Sequence, residues 1–170
     1  MLSALGDFQL AESAAAFLQE ADEEELYSVV ELRRFRCYEH TAIMSYARPF
    51  SQSKGSVPKL SLKQCGVKLT STENDLHHRI IDLRNKLVAH SDLELMNFAA
   101  KTHDLSSTLD QQFFIIFANH DEGLQFSSFF EQIAFNDLIS KVHFSLYKKL
   151  HDAAQHSPDD FDLKVHFPKK

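Results

Sequence analysis

The stretch from Thr70 to His90 repeats its apolar residues at the spacing of an α-helix, and it constrains the fold more than any other part of the chain. Its leucines and isoleucines recur every three or four residues, which places them in one narrow arc of a helical wheel. The members of this stripe are Leu76, Ile80, Leu83 and Leu87. Thr70 with Glu73 three residues later matches the capping pattern of a helix start. The stretch therefore predicts one long helix with a single core-facing side.

The chain as a whole is poor in residues that interrupt helices, with four glycines and four prolines among 170 residues. This composition favours long helices over a many-stranded sheet. The hydrophobic share of 44% and the charged share of 25% are typical of a folded globular protein. We therefore expect a mainly α protein with one domain over residues 1–156 and a C-terminal tail over residues 157–170.

Two helices are predicted before this stretch. The first covers about Leu10 to Glu20, and the second runs from Glu23 to Ala47. Asp22 with Glu25 supplies a capping pattern for the second helix, and Pro49 follows its end. The apolar face expected for the second helix consists of Leu26, Val29, Val30, Cys37, Met44 and Ala47.

The rest of the chain is predicted to be more varied. A serine- and glycine-containing stretch from Phe50 to Leu69 is expected to form a long loop or mobile lid. Leu95–Lys101 and Gln112–Ala118 are expected to form two short strands. A last long helix is predicted from Phe129 to about Ala154. Ser128 with Glu131 forms its capping pattern.

Several classes of protein are disfavoured by charge and motif content. The net charge of -6 argues against sequence-blind coating of nucleic acid. Neither a glycine-rich phosphate loop nor a G-x-S-x-G elbow is present in the sequence. The first residues lack the pattern of a signal peptide, and the apolar run from Phe113 to Ala118 is too short to cross a membrane. With only two cysteines and no disulfide framework, the expected location is the cytoplasm.

Arg84 occupies an unusual place on the predicted helix. It falls between the core stripe and a second apolar patch formed by Ile81 and Val88. A charge among apolar side chains needs a partner, because an unpaired buried charge is very costly. That partner is a carboxylate such as Glu31 or Glu39, a backbone carbonyl, or a phosphate of a ligand.

His90 lies at the border of the same apolar arc, six residues after Arg84. Six residues turn an ideal helix so that the two side chains are about 120° apart. Convergence on one point therefore requires a distorted helix end or a second copy of the helix across a dimer interface. In the purely structural alternative, Arg84 pairs with a buried acid and His90 caps the carbonyls at the helix end.

The segment Leu83–Asp92 resembles the signature of HEPN-domain proteins. That signature is an arginine, four to six intervening residues and a histidine, often with a polar residue such as Asn after the arginine. Here five residues separate Arg84 from His90, and Asn85 follows the arginine. The Ala-His ending and the following Ser91-Asp92 look like the abortive-infection members, which are bacterial defence proteins.

The resemblance implies an antiparallel helical bundle, to which the predicted β-hairpin before the last helix would be an addition. It also implies a homodimer in which two motifs form one cleft, and metal-independent cleavage of RNA without a cofactor. In that reaction His90 would be the general base or acid. Arg84 would bind the phosphate and stabilise the charge of the transition state. Asn85 would orient the phosphate or fix His90.

Four further side chains are candidates for contacts with a substrate: Arg33, Arg36, His40 and His77. The alternative for the first three is that their stems cover the edge of the core while their polar ends reach water. Histidine spacing does not match the patterns of metal sites in helical bundles, so we expect no metal. RNA and a cognate antitoxin or other protein are the partners considered. Some HEPN proteins are not catalytic, so a binding module remains the alternative function.

Overall fold

The computed structural model of the protein describes residues 1–22, 24–51, 58–89, 99–104, 114–119 and 123–156. Within these ranges the helical elements are α1 (Leu2–Leu18), α2 (Val29–Ala47), the 3-10 turn Arg48–Phe50, α3 (Leu62–Cys65), α4 (Ser71–Ala89) and α5 (Phe129–His156). The strands are β1 (Ala99–Asp104) and β2 (Phe114–Asn119). The protein is thus mainly helical, as its composition predicts. The proposed tail, residues 157–170, lies outside the described residues.

The helices pack as a bundle around one apolar core. α1 packs against α2 and α5, and α4 packs against the same two helices. α3 lies on α5. The largest fully buried side chains of the core are Phe8, Phe35, Tyr46, Phe126 and Phe135. The antiparallel, HEPN-like arrangement inferred from the resemblance stays a prediction.

α1 is longer than the sequence pattern predicted, because it begins at Leu2 and not near Leu10. Its buried side is made mostly of small residues that repeat at helical spacing: Ala4, Phe8, Ala11, Ala14, Ala15 and Leu18. Alanine gives a weak hydrophobic signal but the highest helix propensity of all residues. The helix therefore extends over a segment whose apolar stripe is easy to overlook.

α2 begins six residues later than predicted, and the capping role assigned to Asp22 and Glu25 was wrong. Ser28 is the N-cap, and its Oγ accepts a hydrogen bond from the Glu31 backbone N–H at 3.3 Å. The Glu31 carboxylate accepts in return from the Ser28 backbone N–H at 2.8 Å. The Asp22 carboxylate instead accepts from the backbone N–H of Glu24, which closes a local turn.

The side of α2 that faces the core also differs from the prediction. Leu26, before the helix, and Val29 and Val30 in its first turn are exposed, as is Cys37. The buried side consists of Phe35, Glu39, Ala42, Ile43, Ser45, Tyr46 and Ala47. The buried side of α2 is therefore the side that carries Phe35 and Tyr46, and the apolar residues near the start of the helix are not part of it.

The start of α4 and the start of α5 match their predicted caps. The Thr70 backbone N–H donates to the Glu73 carboxylate at 2.7 Å, and Thr70 Oγ1 accepts from the Glu73 backbone N–H at 3.3 Å. At α5, the Ser128 Oγ accepts from the Glu131 backbone N–H at 3.3 Å. Both capping predictions are confirmed.

The stretch from Phe50 to Leu69 is only partly a loop. Residues 52–57 lie outside the described residues, but the remainder is tied to the bundle. The Leu60 backbone N–H donates to the Pro49 carbonyl at 2.7 Å, and α3 follows directly. Cys65 and Val67 are buried in the core. The loop prediction therefore holds for the irregular residues 58–61 and 67–69, whereas α3 and the burial of Cys65 and Val67 contradict a mobile lid here.

β1 and β2 pair in antiparallel fashion, with Ala99 opposite Asn119 and Asp104 opposite Phe114. β1 ends three residues beyond the predicted Lys101. The connection, residues 105–113, and the predicted start of the first strand at Leu95 lie outside the described residues. The two strands are therefore present and paired, and the hairpin connection between them stays a prediction.

Among the helices that the structure describes, none combines the length and the hydropathy needed to cross a membrane.

Candidate functional site

α4 presents its predicted stripe to the core. Ile80 and Leu83 are buried, and Leu76 and Leu87 are half-buried against the same cluster. The residues expected to face water, namely His78, Arg79, Asp82 and Lys86, are all exposed. The wheel predicted for this helix is therefore confirmed over the residues whose side chains are described.

Arg84 lies at the edge of this buried stripe, and its side chain is half-buried. One guanidinium nitrogen, Nη1, donates to Asn85 Oδ1 at 3.1 Å. The Nε atom is buried and has no hydrogen-bond partner among the described residues. No carboxylate within the described ranges forms an ion pair with Arg84. The guanidinium is thus partly removed from water without an anionic partner in this part of the protein.

The two carboxylates considered as partners of Arg84 are engaged elsewhere. Glu31 belongs to the cap of α2 and binds Ser28. Glu39 is fully buried, and its Oε1 accepts a hydrogen bond from the Phe126 backbone N–H at 2.8 Å. The purely structural alternative, in which a buried acid neutralises Arg84, therefore finds no support in these two residues.

His90 lies outside the described residues, directly after the last residue of α4. The site consists of Arg84 and Asn85, and Asn85 borders the exposed side of α4.

A depression of about 700 Å³ runs along this exposed side of α4. The polar side chains that line it are Asp75, His78, Arg79, Asp82, Asn85 and Lys86. The depression thus carries acids, bases and an amide in a mixed arrangement. It reaches Asn85, which contacts Arg84 directly. A ligand that bound Asn85 would therefore have space to extend along the helix, whereas Arg84 does not itself line the depression.

His77 does not belong to this surface, and its burial argues against the predicted contact with a substrate. It is 5% exposed, and its Nδ1 lies 2.8 Å from the Tyr46 hydroxyl. The ring packs edge-on against Phe50, with 4.8 Å between centroids. Burial, with a smaller contribution from neighbouring His78, lowers the pKa of His77 to about 4. His77 is therefore a neutral core residue at physiological pH.

The buried His77 predicts a pH-dependent stability. Its pKa in the unfolded chain is near 6.5, so the unfolded state takes up a proton first as the pH falls. The free energy of unfolding should therefore drop by about 2–3 kcal/mol between about pH 6.5 and pH 4. Urea unfolding at a series of pH values measures this drop. His77→Phe should flatten the profile in that range, and an equally steep profile in the variant would contradict the assignment.

The three candidates on α2 lie on one side of the helix at positions three and four residues apart. Arg33 is exposed, whereas Arg36 and His40 are half-buried. Burial, and then the positive charge of Arg36, lower the pKa of His40. These residues stay candidates for contacts with a phosphate backbone, with His40 acting as a neutral group.

A polar cluster between α1 and α5 was not anticipated from the sequence. The Glu12 carboxylate accepts a hydrogen bond from Ser140 Oγ at 2.6 Å and lies 2.7 Å from His143 Nδ1. Burial raises the pKa of Glu12, but the hydrogen bonds from Ser140 and His143 outweigh it and lower the pKa overall. Serine and histidine both bind the carboxylate, so the cluster joins two helices and lacks the serine-to-histidine contact of a nucleophilic triad.

Within the described ranges, no group of three or more histidine, cysteine or acidic side chains is arranged to hold a metal ion. Comparison of the chain with protein-family models, with curated proteins and with solved structures gave no match.

Proposed function

We propose that the protein is a HEPN-like, metal-independent endoribonuclease that acts as a toxin or phage-defence effector in the cytoplasm. Arg84, Asn85 and His90 would form its catalytic group. Two copies of the chain would bring two such groups into one cleft. RNA is the substrate, and a cognate antitoxin or another protein is the expected partner in regulation.

The observation that carries the proposal is the state of Arg84. Its guanidinium is half-buried, its Nε is buried without a hydrogen-bond partner, and no described carboxylate neutralises it. A cation in such surroundings gains most from a ligand that supplies both negative charge and acceptor oxygens. A phosphate of RNA supplies both, and the planar guanidinium suits its geometry.

Asn85 supports the same interpretation. Its carbonyl oxygen accepts from Arg84 Nη1, so its NH₂ group is left to donate to a second acceptor. The side chain is exposed and borders the depression along α4. A phosphate held by Arg84 would therefore lie within reach of a second donor that also restrains the arginine.

The proposed reaction needs one proton acceptor and one proton donor. A base removes the proton from the RNA 2'-hydroxyl, whose oxygen attacks the adjacent phosphorus. The bond from phosphorus to the 5'-oxygen breaks, and that oxygen takes up a proton. The products are a cyclic phosphate and a 5'-hydroxyl. His90 suits either proton transfer, because histidine titrates near neutral pH. Arg84 would stabilise the added negative charge on the phosphate oxygens.

A dimer is what the resemblance implies, and it agrees with the geometry of an ideal helix. On such a helix Arg84 and His90 would be about 120° apart, so their convergence on one phosphate needs either a distorted helix end or a second copy of the chain, and we propose the second. Two chains would supply Arg84 from one copy and His90 from the other. Arg33, Arg36 and His40 would then guide the RNA backbone beyond the reacting phosphate.

The test is RNA cleavage by the purified protein in the presence of EDTA. We expect the parent protein to cleave and His90→Ala to lose cleavage with unchanged thermal stability. His151→Ala is the matched control, because His151 is an exposed histidine near the end of α5. Retained cleavage in His90→Ala, or cleavage that EDTA abolishes, would overturn the proposal.

A binding module is the second candidate function, and the acidic net charge of -6 favours it. In that case the same surface would hold RNA, a nucleotide or a protein without turnover. Fluorescence titration with a labelled RNA separates the two candidates. Binding that depends on Arg84 without any cleavage would support the binding module, and cleavage in EDTA would exclude it.

A further inference from the structure

Three helices hold the two-residue segment Gln125–Phe126 by its backbone. From α2, the Glu39 carboxylate accepts from the Phe126 N–H at 2.8 Å. From α5, Gln132 Nε2 donates to the Phe126 carbonyl at 3.1 Å. From α4, Arg79 Nη2 donates to the Gln125 carbonyl at 2.6 Å. We call this arrangement the Phe126 clasp.

The Phe126 side chain strengthens the clasp. It is fully buried and stacks on Phe135, with 4.5 Å between the ring centroids. The Arg79 guanidinium lies over the Phe126 ring itself, at 4.6 Å from the ring centroid. Arg79 also forms an ion pair with Glu131 at 2.7 Å. The segment is thus fixed by its backbone and by its side chain.

Two atoms of the clasp have unused hydrogen-bonding capacity. Glu39 Oε2 and Gln132 Oε1 are buried and have no hydrogen-bond partner among the described residues. Ionisation would place a negative charge in a buried position, and the loss of hydration that this costs outweighs the favourable effect of the Gln125 and Phe126 backbone N–H groups. A carboxylic acid fits better, because it carries no charge, its Oε1 still accepts from the Phe126 N–H, and a neutral O–H without a described partner costs less than a buried anion.

The charges that face Glu39 come from two helices. Arg36 lies on α2 itself, and Arg79 approaches from α4. The residue that α5 contributes to the clasp, Gln132, is neutral, and the acid beside it, Glu131, is paired with Arg79. Burial raises the pKa of Glu39. The hydrogen bonds from Gln125 and Phe126 and the charges of the two arginines lower this pKa, but the effect of burial is larger.

We propose that Glu39 is a proton-dependent latch, which closes the Phe126 clasp as a carboxylic acid and loosens it as a carboxylate. The segment that it holds lies between the end of β2 at Asn119 and the start of α5 at Phe129. Loss of the proton would therefore weaken the attachment of this connection to the helical bundle. The latch involves neither Arg84 nor His90, so a test of the latch does not depend on the ribonuclease proposal.

Thermal unfolding of the wild-type protein and of Glu39→Gln tests the latch. Glutamine reproduces the neutral acid, with an acceptor for Phe126 and a donor in place of the acid proton. A group with a raised folded-state pKa contributes full stability below its unfolded pKa and loses it as the pH rises. We therefore expect the Tm of Glu39→Gln to exceed that of the wild type by an amount that grows from about pH 5 to about pH 8. A difference that is constant over this range would overturn the proposal.

Glu31→Gln is the matched control, because Glu31 is an exposed acid on the same helix. It should leave the slope of Tm against pH unchanged between about pH 5 and about pH 8.

A second measurement uses the wild-type protein alone. The Glu39 carboxyl carbon, followed by NMR in the wild-type protein, should titrate above the ordinary range of glutamate. Titration within or below that range would also overturn the latch.

Discussion

Replacing Arg84 with methionine is expected to reduce RNA cleavage by about a hundredfold to a thousandfold, which is typical for loss of one group that stabilises transition-state charge. The same change should leave the free energy of unfolding equal or slightly higher. The reason is that Arg84 keeps a buried Nε without a partner, and its described hydrogen bond is to Asn85. Methionine is a flexible apolar side chain of similar length, so it removes the unpaired buried Nε and fills the same space.

Cleavage rates in EDTA and urea unfolding of the same preparations measure the two effects. Arg48→Met is the control, because Arg48 forms an exposed ion pair with Asp7 and such pairs contribute little. A large loss of cleavage in Arg84→Met, with an equal or slightly higher free energy of unfolding, would mark a functional arginine. A large loss of stability with unchanged cleavage would show instead that Arg84 is structural, and the proposed site would be wrong.

α4 shows which features of the protein a sequence can predict. Its cap is local, since Thr70 and Glu73 are three residues apart and satisfy each other. Its stripe is regular, so the wheel correctly placed Ile80 and Leu83 in the core. The partly buried position of Arg84 followed from the same regularity. These features depend on residues within one or two helical turns of each other. Sequence periodicity predicts contacts over this short distance along the chain.

α2 shows where the same reasoning fails. Two capping patterns compete within seven residues, and both Asp22 and Ser28 fit the rule. The choice is made by contacts: the Asp22 backbone N–H donates to the Tyr27 hydroxyl at 2.7 Å, which holds the chain in a turn before the helix. Tyr46 then packs on Phe8 of α1, with 5.9 Å between centroids. That packing determines which face of α2 is buried.

The site residues that escaped prediction are those whose partners are distant in sequence. Tyr46 and His77 are 31 residues apart, and Glu39 and Phe126 are 87 apart. No local pattern indicates that His77 has a buried phenol beside it, so the sequence suggests a contact with a substrate instead. Glu39 was one candidate partner of Arg84, but the group that the structure places on its Oε1 is the Phe126 backbone N–H. Only the packing of helices on one another decides such pairs.

Phe126→Ala is expected to have the largest effect on stability among the substitutions considered, with a loss of about 3–5 kcal/mol, the usual range for a buried phenylalanine. The ring is fully buried, stacks on Phe135 and lies under the Arg79 guanidinium. Its removal leaves a cavity at the point where α2, α4 and α5 converge on one segment. The loss is measured by urea unfolding at about neutral pH.

Phe130→Ala provides the matched comparison, because Phe130 lies four residues further along the chain and is 80% exposed. Removing an exposed ring should change the free energy of unfolding by no more than about 0.5 kcal/mol. Similar losses in the two variants would show that the Phe126 clasp contributes little to the fold. A large loss confined to Phe126→Ala would instead make this segment a main attachment of the β1–β2 region to the helices. Any process that opens the clasp would then change the stability of the whole bundle.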